Sequence, residues 1–327
     1  MCPARKDAPV ASIDLGSNTV RLLVADEAAG RLKRQLILQE TTRLGQGLQP
    51  GRPFLPQAAD RTWQLLTSYR DRLSALGVGH VLLGATMAVR QASDGRAFLD
   101  RVAGELGFDT VILSGHQEAF LTAAGVLTAL EPQPDVAVIF DLGGRSTEFC
   151  LAVQGRLQIA ASLELGAVAL TEQHLASDPP TLRELEACRL EIAAVLGRGL
   201  MEFQRELKRT GPARTLVGTA GTTTTLAAMA QEMVFYKPEL IDNFRLERST
   251  LTGLLDRMAA ASVSTRALMP GLPRDRADII VAGAVVVLET MHFFDVDNII
   301  VSDAGLLEGL WLTAAGRLTL NEGVTAL

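Results

Sequence analysis

Cysteine is scarce. The 327 residues hold three, Cys2, Cys150 and Cys188, scattered and odd in number. They lack metal-ligand spacing, and the usage suits a reducing cytoplasm. Met1-Cys2-Pro3-Ala4-Arg5-Lys6-Asp7 has no apolar stretch of the kind a signal peptide needs. The most apolar run, Ile279 to Leu288, is too short to span a bilayer and is followed by Glu289, so a buried helix is predicted and no membrane. There is no low-complexity tract, and 48% hydrophobic content supplies a sizeable core and argues against disorder. An excess of positive charge is also missing. The net charge is −6, which argues against a general polyanion binder and against nucleic acid. Residues 1–128 carry 14 basic and 12 acidic side chains, net +2, and the remainder 17 and 25, net −8. The first part is therefore the better host for an anionic substrate.

What the chain does have is the tripeptide Asp-Leu-Gly twice. It runs Ile13-Asp14-Leu15-Gly16-Ser17-Asn18-Thr19 and Phe140-Asp141-Leu142-Gly143-Gly144-Arg145-Ser146-Thr147, each between apolar runs. Gly30-Arg31-Leu32 and Gly155-Arg156-Leu157 punctuate the two copies alike. A strand, a Gly-rich turn and a returning strand thus recur, which predicts two related lobes, each offering a phosphate-sized loop to a shared cleft. Glycine lets the backbone approach an anion and take positive φ, and successive N–H groups can form an anion nest. Ser17, Asn18, Ser146 and Thr147 add short donors. Aspartate repels phosphate unless a hard cation such as Mg²⁺ lies between them. Either copy alone also reads as an ordinary hairpin; matching context in two favours the metal-bridged phosphate.

The pattern predicts strands at Val10–Asp14, Val20–Asp26 and Leu32–Glu40, then a helix from Pro56, where proline's missing N–H is not needed, to Leu76. Strand Val81–Ala85, helix Val89–Leu106, strand Thr110–Leu113 and a helix near Gln117 follow. This alternation after a meander indicates an α/β lobe with a mixed sheet. Glu131-Pro132-Gln133-Pro134-Asp135 is the linker candidate. The second copy opens with strands Val136–Phe140, Thr147–Val153 and Leu157–Ser162, then a long amphipathic helix from Pro179-Pro180 to Lys208. Strand Thr215–Gly218, a helix from Thr223, helix Ile279–Met291, strand Asn298–Ser302 and helix Gly305–Ala314 complete it. The predicted domains are residues 1–130, with a C-terminal helix of about 311–327 packing back on them, and 131–310. Val285-Val286-Val287-Leu288 reads as core, with a homodimer interface as the other reading.

Further loops could carry chemistry. Gly218-Thr219-Ala220-Gly221 lies between a strand and a helix, as an anion contact would or as a helix start capped by threonines. Ser302-Asp303-Ala304-Gly305 reads as structural. Arg90 follows a strand near a helix start, and arginine grips phosphate with two parallel hydrogen bonds. Glu118 falls in a first helical turn, as a helix-dipole partner or as a general base positioning water. His116 reads as a turn residue.

Together these stretches resemble the exopolyphosphatase/guanosine pentaphosphate phosphohydrolase family, Ppx/GppA. The resemblance covers, in order, Ile13 to Leu22, Arg43-Leu44-Gly45-Gln46-Gly47-Leu48, Ala85 to Ala92, Ser114 to Gly125, Asp141 to Glu148, Gly218 to Thr222, Arg276 to Gly283 and Ser302 to Gly309. It implies the actin-like ATPase architecture, α/β with two ribonuclease H-like lobes and a cleft between them, in a short form without the HD-like domain of longer members. It implies Mg²⁺-dependent hydrolysis of a terminal phosphate from polyphosphate or guanosine pentaphosphate. Glu118 matches the family's catalytic carboxylate. Asp141, Gly143 and Glu148 match the second acidic loop, which serves metal and phosphate, beside Gly144 and Ser146. Asp14, Gly16, Ser17 and Asn18 match the first phosphate loop, and Arg90 the phosphate-gripping arginine. The expected metal ligands are thus Asp14, Asp141 and Glu148, and Gly218, Thr219 and Gly221 join the substrate contacts. Three departures stand out. Arg145 replaces a glycine, narrowing the site or adding a phosphate contact; His116-Gln117 stands where acidic or amide residues are common; and Leu307 replaces an arginine before Glu308-Gly309. Two other functions fit the same residues: a phosphotransferase of the superfamily, and a non-catalytic sensor of polyphosphate or guanosine pentaphosphate.

Overall fold

The computed structural model describes residues 9–28, 31–210, 215–319 and 325–326. Numbered along the chain, the first elements are β1 (Val10–Leu15), β2 (Thr19–Ala28), β3 (Arg31–Thr41), α1 (Pro56–Ala75), β4 (His80–Ala85), α2 (Met87–Gln91), α3 (Gly95–Leu106), β5 (Asp109–Ile112) and α4 (Gly115–Leu127). Next come β6 (Val136–Leu142), β7 (Thr147–Val153), β8 (Arg156–Leu163), α5 (Ala167–His174), α6 (Leu182–Gly199), α7 (Met201–Thr210), β9 (Thr215–Thr219), α8 (Ala220–Ala230), α9 (Pro238–Ile241) and β10 (Phe244–Glu247). The chain continues with α10 (Arg248–Ala259), α11 (Val263–Arg266), α12 (Ile280–Phe294), β11 (Asn298–Val301), α13 (Leu306–Ala314) and β12 (Thr325–Ala326). Two compact units result: Met1–Thr128 with Leu306–Glu322, and Ala129–Gly305 with Gly323–Leu327.

In the first unit the strand order is β3-β2-β1-β4-β5. β1, β2 and β3 form an antiparallel meander, and β4 and β5 add in parallel to β1. This is the ribonuclease H-like order. α1 begins with Pro56 at its start and buries Ala58, Thr62, Leu66, Tyr69 and Leu73, a stripe at helical spacing facing the sheet. Burial pushes the Tyr69 phenol up, with Glu40 adding to the shift. α13 packs on the other side. Leu307 and Trp311 join Leu23 and Ala25 in a buried cluster, and the Trp311 indole N–H reaches the carbonyls of Val10 and Ala25. Leu307 thus stands in apolar surroundings, and its carbonyl accepts from Ser12 Oγ at 2.7 Å.

In the second unit the order among the described residues is β10-β11-β9-β6-β7-β8-β12. β8-β7-β6-β9-β11 repeats the ribonuclease H-like order of the first unit, with β6–β7–β8 antiparallel and β6, β9 and β11 parallel. β10 and β12 extend the two edges. α12 is buried on nearly every side, so Val285, Val286, Val287 and Leu288 lie in the core of this unit. Such a helix is apolar all round because no face meets water. Two mixed sheets covered by helices make the chain α/β, with the ribonuclease H-like strand order present in each unit. Among the described residues no helix is long and apolar enough to cross a membrane.

Two helices predicted as continuous are broken. The Val89–Leu106 segment is α2 and α3, because Ala92 ends α2 in extended backbone and Asp94 turns its carboxylate to the Phe54 N–H. Gly95 then packs so closely that a Cβ would overlap the Val89 carbonyl. The segment to Lys208 is α6 and α7, interrupted at Leu200, whose backbone leaves the helical region.

Candidate active site

In each unit the candidate loops lie at the carboxyl ends of parallel strands, where open α/β sheets bind their ligands. In the first unit Leu15 pairs with Ala85 and Ala85 with Ile112, so β1, β4 and β5 end in one row. After β1, Gly16 N–H donates to the Thr19 carbonyl at 3.0 Å and closes the hairpin. A Cβ on Gly16 would lie 2.9 Å from that oxygen, which is why glycine is needed here. The carbonyls of Ser17 and Asn18 are taken by a second loop. Gly45 N–H donates to Ser17 at 2.7 Å, and the Thr42 and Arg43 N–H groups donate to Asn18 at 3.0 and 2.9 Å. Arg43 adopts φ 51° to make this turn. The Arg43–Leu48 stretch therefore shapes the first turn rather than standing apart from it.

After β4, the Thr86 N–H and hydroxyl both reach the Leu15 carbonyl at 3.3 Å. Arg90, on α2, donates from Nη1 to the Leu113 carbonyl and, at 3.0 Å, to Glu118 Oε2. The Glu118 side chain keeps 9% of its surface and that of Arg90 23%. Glu118 sits in the first turn of α4, whose start is a capping box: Gln117 N–H donates to Ser114 Oγ, and Ser114 N–H donates to Gln117 Oε1. Gln117 therefore serves the helix start, while His116 lies within its first turn.

The second unit repeats the hairpin: Gly143 N–H donates to the Ser146 carbonyl at 3.0 Å. Register separates the two copies. Asp14 lies opposite Arg21, whereas Asp141 lies opposite Glu148. Directly opposed residues of an antiparallel pair share a face, with Cβ atoms about 5 Å apart. Asp14 thus meets a cation, and Asp141 a second carboxylate. Glu148 is buried, and its Oε1 accepts from Ser162 Oγ at 2.7 Å. Two carboxylates on one face repel unless a cation or proton lies between them. The pair suits Mg²⁺, which takes one or two carboxylates and completes its shell with water and substrate phosphate. Among the described residues no group of three acidic, histidine or cysteine side chains gathers as a full metal cage.

α5, a helix that no motif in the sequence announces, braces this second turn. Ala167 N–H donates to the Gly143 carbonyl, and Val168 and Ala169 N–H to Gly144, at 2.8–3.1 Å. The Thr147 hydroxyl donates to the Leu165 carbonyl. Gly166 lies against the Arg145 backbone, where a Cβ would overlap it. The Arg145 guanidinium lies 3.5 Å from Glu172 of α5, so part of its charge is answered within the unit.

β9 ends beside β6, with Thr219 opposite Asp141. Thr219 occupies the position before α8, yet its hydroxyl donates to the Ala304 carbonyl at 2.7 Å and does not cap the helix. The Thr224 and Thr225 hydroxyls turn back to the Gly221 carbonyl. The threonine-capping reading is therefore not the arrangement found. Ala220 takes φ 67°, and the buried Arg276 guanidinium lies directly over Gly221, where any Cβ would overlap it. Nothing local in the sequence distinguishes Arg276 from a surface arginine. After β11, Asp303 is buried and accepts from the Tyr236 hydroxyl at 2.5 Å, while its N–H donates to Asp242 Oδ1 at 2.7 Å.

Comparison with known proteins follows the same lines. Residues 23–318 match the Ppx/GppA phosphatase family. The chain is 35% identical over 322 residues to a Mycobacterium tuberculosis protein named exopolyphosphatase 2, covering 94% of this chain and 98% of that one. It is 26% identical over 303 residues to guanosine-5'-triphosphate,3'-diphosphate pyrophosphatase of Aeromonas hydrophila, covering 92% of this chain and 58% of that one. The crystal structure of the Aquifex aeolicus member of the Ppx/GppA protein family superposes with a TM-score of 0.79 at 30% identity, covering 94% of this chain and 97% of the other. The chain belongs to the Ppx/GppA phosphatase family.

Proposed function

We propose that this protein is a phosphoanhydride hydrolase that releases orthophosphate from the end of polyphosphate, of guanosine pentaphosphate, or of both. The observation that carries this reading is the nearly buried Glu118 carboxylate held by Arg90 beyond the ends of β1, β4 and β5. A carboxylate so placed is suited to orient or deprotonate water. Family membership and relatives named for these two activities support the same chemistry.

In this reading the Glu118 carboxylate takes a proton from the attacking water as the water oxygen bonds the terminal phosphorus and the bridging P–O bond breaks, so that the shortened chain or nucleotide leaves and the terminal group is released as orthophosphate. Arg90 keeps that carboxylate in place and offers its guanidinium to the transferring phosphoryl. Each unit offers one Gly-rich turn, Gly16–Asn18 in the first and Gly143–Ser146 in the second, whose N–H groups and short side chains suit phosphate oxygens. Gly218, Thr219 and Gly221 shape the end of β9, where Thr219 lies opposite Asp141 and the Arg276 guanidinium over Gly221 brings positive charge. Asp141 and Glu148, opposite each other in the second unit, would hold Mg²⁺. When bound, the ion would offset charge on the phosphoryl oxygens.

The deciding assay is orthophosphate release from long polyphosphate, short polyphosphate and guanosine pentaphosphate with Mg²⁺, with no acceptor added. Release from at least one of them, abolished by Glu118→Gln, supports the hydrolase. Full activity in that variant rejects Glu118 as the base. Transfer only to an added acceptor would make the protein a phosphotransferase, and tight binding without release would make it a sensor.

A further inference from the structure

α1 reaches back to the loop that holds the first Gly-rich turn. Arg61 stands one position before the buried Thr62, at the flank of the stripe that α1 lays on the sheet, and is itself exposed. Its Nε and Nη2 both donate to the Thr42 carbonyl, at 3.2 and 2.9 Å. A guanidinium is a rigid planar fork, so two bonds to one oxygen fix that oxygen's direction as well as its distance. Thr42 is buried, and a buried carbonyl that loses its donor is costly.

The Thr42 carbonyl and the Arg43 N–H belong to one planar peptide and point opposite ways. Arg61 takes the carbonyl end, and the N–H end donates to the Asn18 carbonyl at 2.9 Å, beside the Thr42 N–H at 3.0 Å. Arg43 has φ 51°, in the left-handed region that non-glycine residues seldom occupy. A flip of this one peptide would return Arg43 to negative φ and turn its N–H away from Asn18. Backbone strain of this kind persists only where the surroundings enforce it. The Arg61 fork, fastened to the oxygen that such a flip must swing, is the enforcing contact.

We infer that Arg61 is a positioning residue for phosphate binding. By holding the Thr42–Arg43 peptide against a flip, it keeps Asn18 anchored, and so keeps the N–H groups and short side chains of Ser17 and Asn18 where phosphate oxygens meet them. The inference rests on the proposed phosphate role of that turn. Arg61 acts through the backbone of Thr42 and Arg43 and touches no substrate itself.

The test uses Arg61→Met, which keeps the aliphatic stem and removes the donors, and Arg61→Lys, which keeps the charge but not the fork. Both are titrated calorimetrically with inorganic tripolyphosphate, and amide hydrogen exchange is followed at Arg43 and, as a control in the second unit, at Gly143. Arg61→Met is expected to bind about tenfold more weakly, the worth of one hydrogen bond. Exchange at Arg43 rises and exchange at Gly143 does not. Arg61→Lys falls between. In an Asn18→Ala background the loss from Arg61→Met shrinks, because both changes act on one turn. In turnover KM rises while kcat holds, the mark of a contact shared by ground and transition states.

Unchanged affinity in Arg61→Met, full additivity with Asn18→Ala, or weaker binding without faster exchange at Arg43 overturns the inference. Should Arg61→Met fail to fold, Arg61→Lys carries the same readouts, and wild-type values in all of them overturn the role of the fork. Failure to release orthophosphate would remove the hydrolase reading and leave the titration standing. Failure of wild type to bind tripolyphosphate would remove the phosphate role of the turn, and the positioning role with it.

Discussion

Arg90 Nη1 lies 3.0 Å from Glu118 Oε2, and the two residues come from different strand–helix junctions of one sheet. Breaking the pair from the arginine side leaves a nearly buried carboxylate without that guanidinium. Arg90→Ala is expected to lower unfolding stability by about 1–3 kcal/mol as well as activity. Arg90→Ala combined with Glu118→Gln should destabilise by less than the sum of the single changes. Urea unfolding of the four proteins checks this, and strict additivity would show that the pair is not coupled.

Glu118→Gln keeps the shape of the side chain and removes its charge. Turnover is expected to fall about 10²–10⁴-fold, with little change in binding of tripolyphosphate. Steady-state kinetics beside calorimetry separates the two. A loss confined to KM would make Glu118 a binding residue and not a base.

Gly309 of α13 lies against α4 so closely that a Cβ would overlap the Leu121 carbonyl. Backbone cannot move aside as a flexible side-chain tip can. Gly309→Ala is expected to cost about 1–3 kcal/mol, as overpacking does, against the gain that alanine usually brings to an exposed helix. Thermal unfolding with unchanged or raised Tm would contradict that packing.

Glu184 closes the capping box of α6 with Thr181 and also accepts from the N–H groups of Ala176 and Ser177. The backbone and hydroxyl bonds from Thr181 lower its pKa from 4.5 to about 2. A lowered carboxylate contributes stability above its unfolded pKa and loses it as pH falls through the folded one. Glu184→Gln should therefore lower Tm at neutral pH, and the gap should close between about pH 4.5 and 2. A gap independent of pH would remove the charge from the explanation.

Cys150 and Cys188 are buried. Burial pushes their thiols up to about 12 and about 11, and it is the thiolate that reacts. Neither should label with a thiol reagent in the native protein at pH 8, and both should label after unfolding. Peptide mass spectrometry distinguishes the two sites; rapid native labelling of either would contradict the packing.

The hairpins at Gly16 and Gly143 were legible because their geometry depends on residues adjacent in sequence: an aspartate ending a strand, a glycine where no Cβ fits, short donors after it. Glu118 in a first helical turn was legible for the same reason. α5 was not, because its first N–H groups are answered by Gly143 and Gly144, more than twenty residues earlier. The breaks at Asp94 and Leu200 also escaped, since no proline marks either. Arg276 over Gly221 and Arg90 with Glu118 are meetings of distant segments, and spacing along the chain does not encode them. Leu307 looked like a lost arginine; its burial with Leu23, Ala25 and Trp311 shows what the side chain does.

α13 returns to the first unit after the chain has built the second. Its Trp311 and Leu307 cover the back of β1 and β2. A fragment ending at Thr128 would thus leave that sheet face bare, so the first unit cannot be lifted out of the chain as one uninterrupted piece. The same strand order is built twice, and the first copy is finished only when the chain comes back to it.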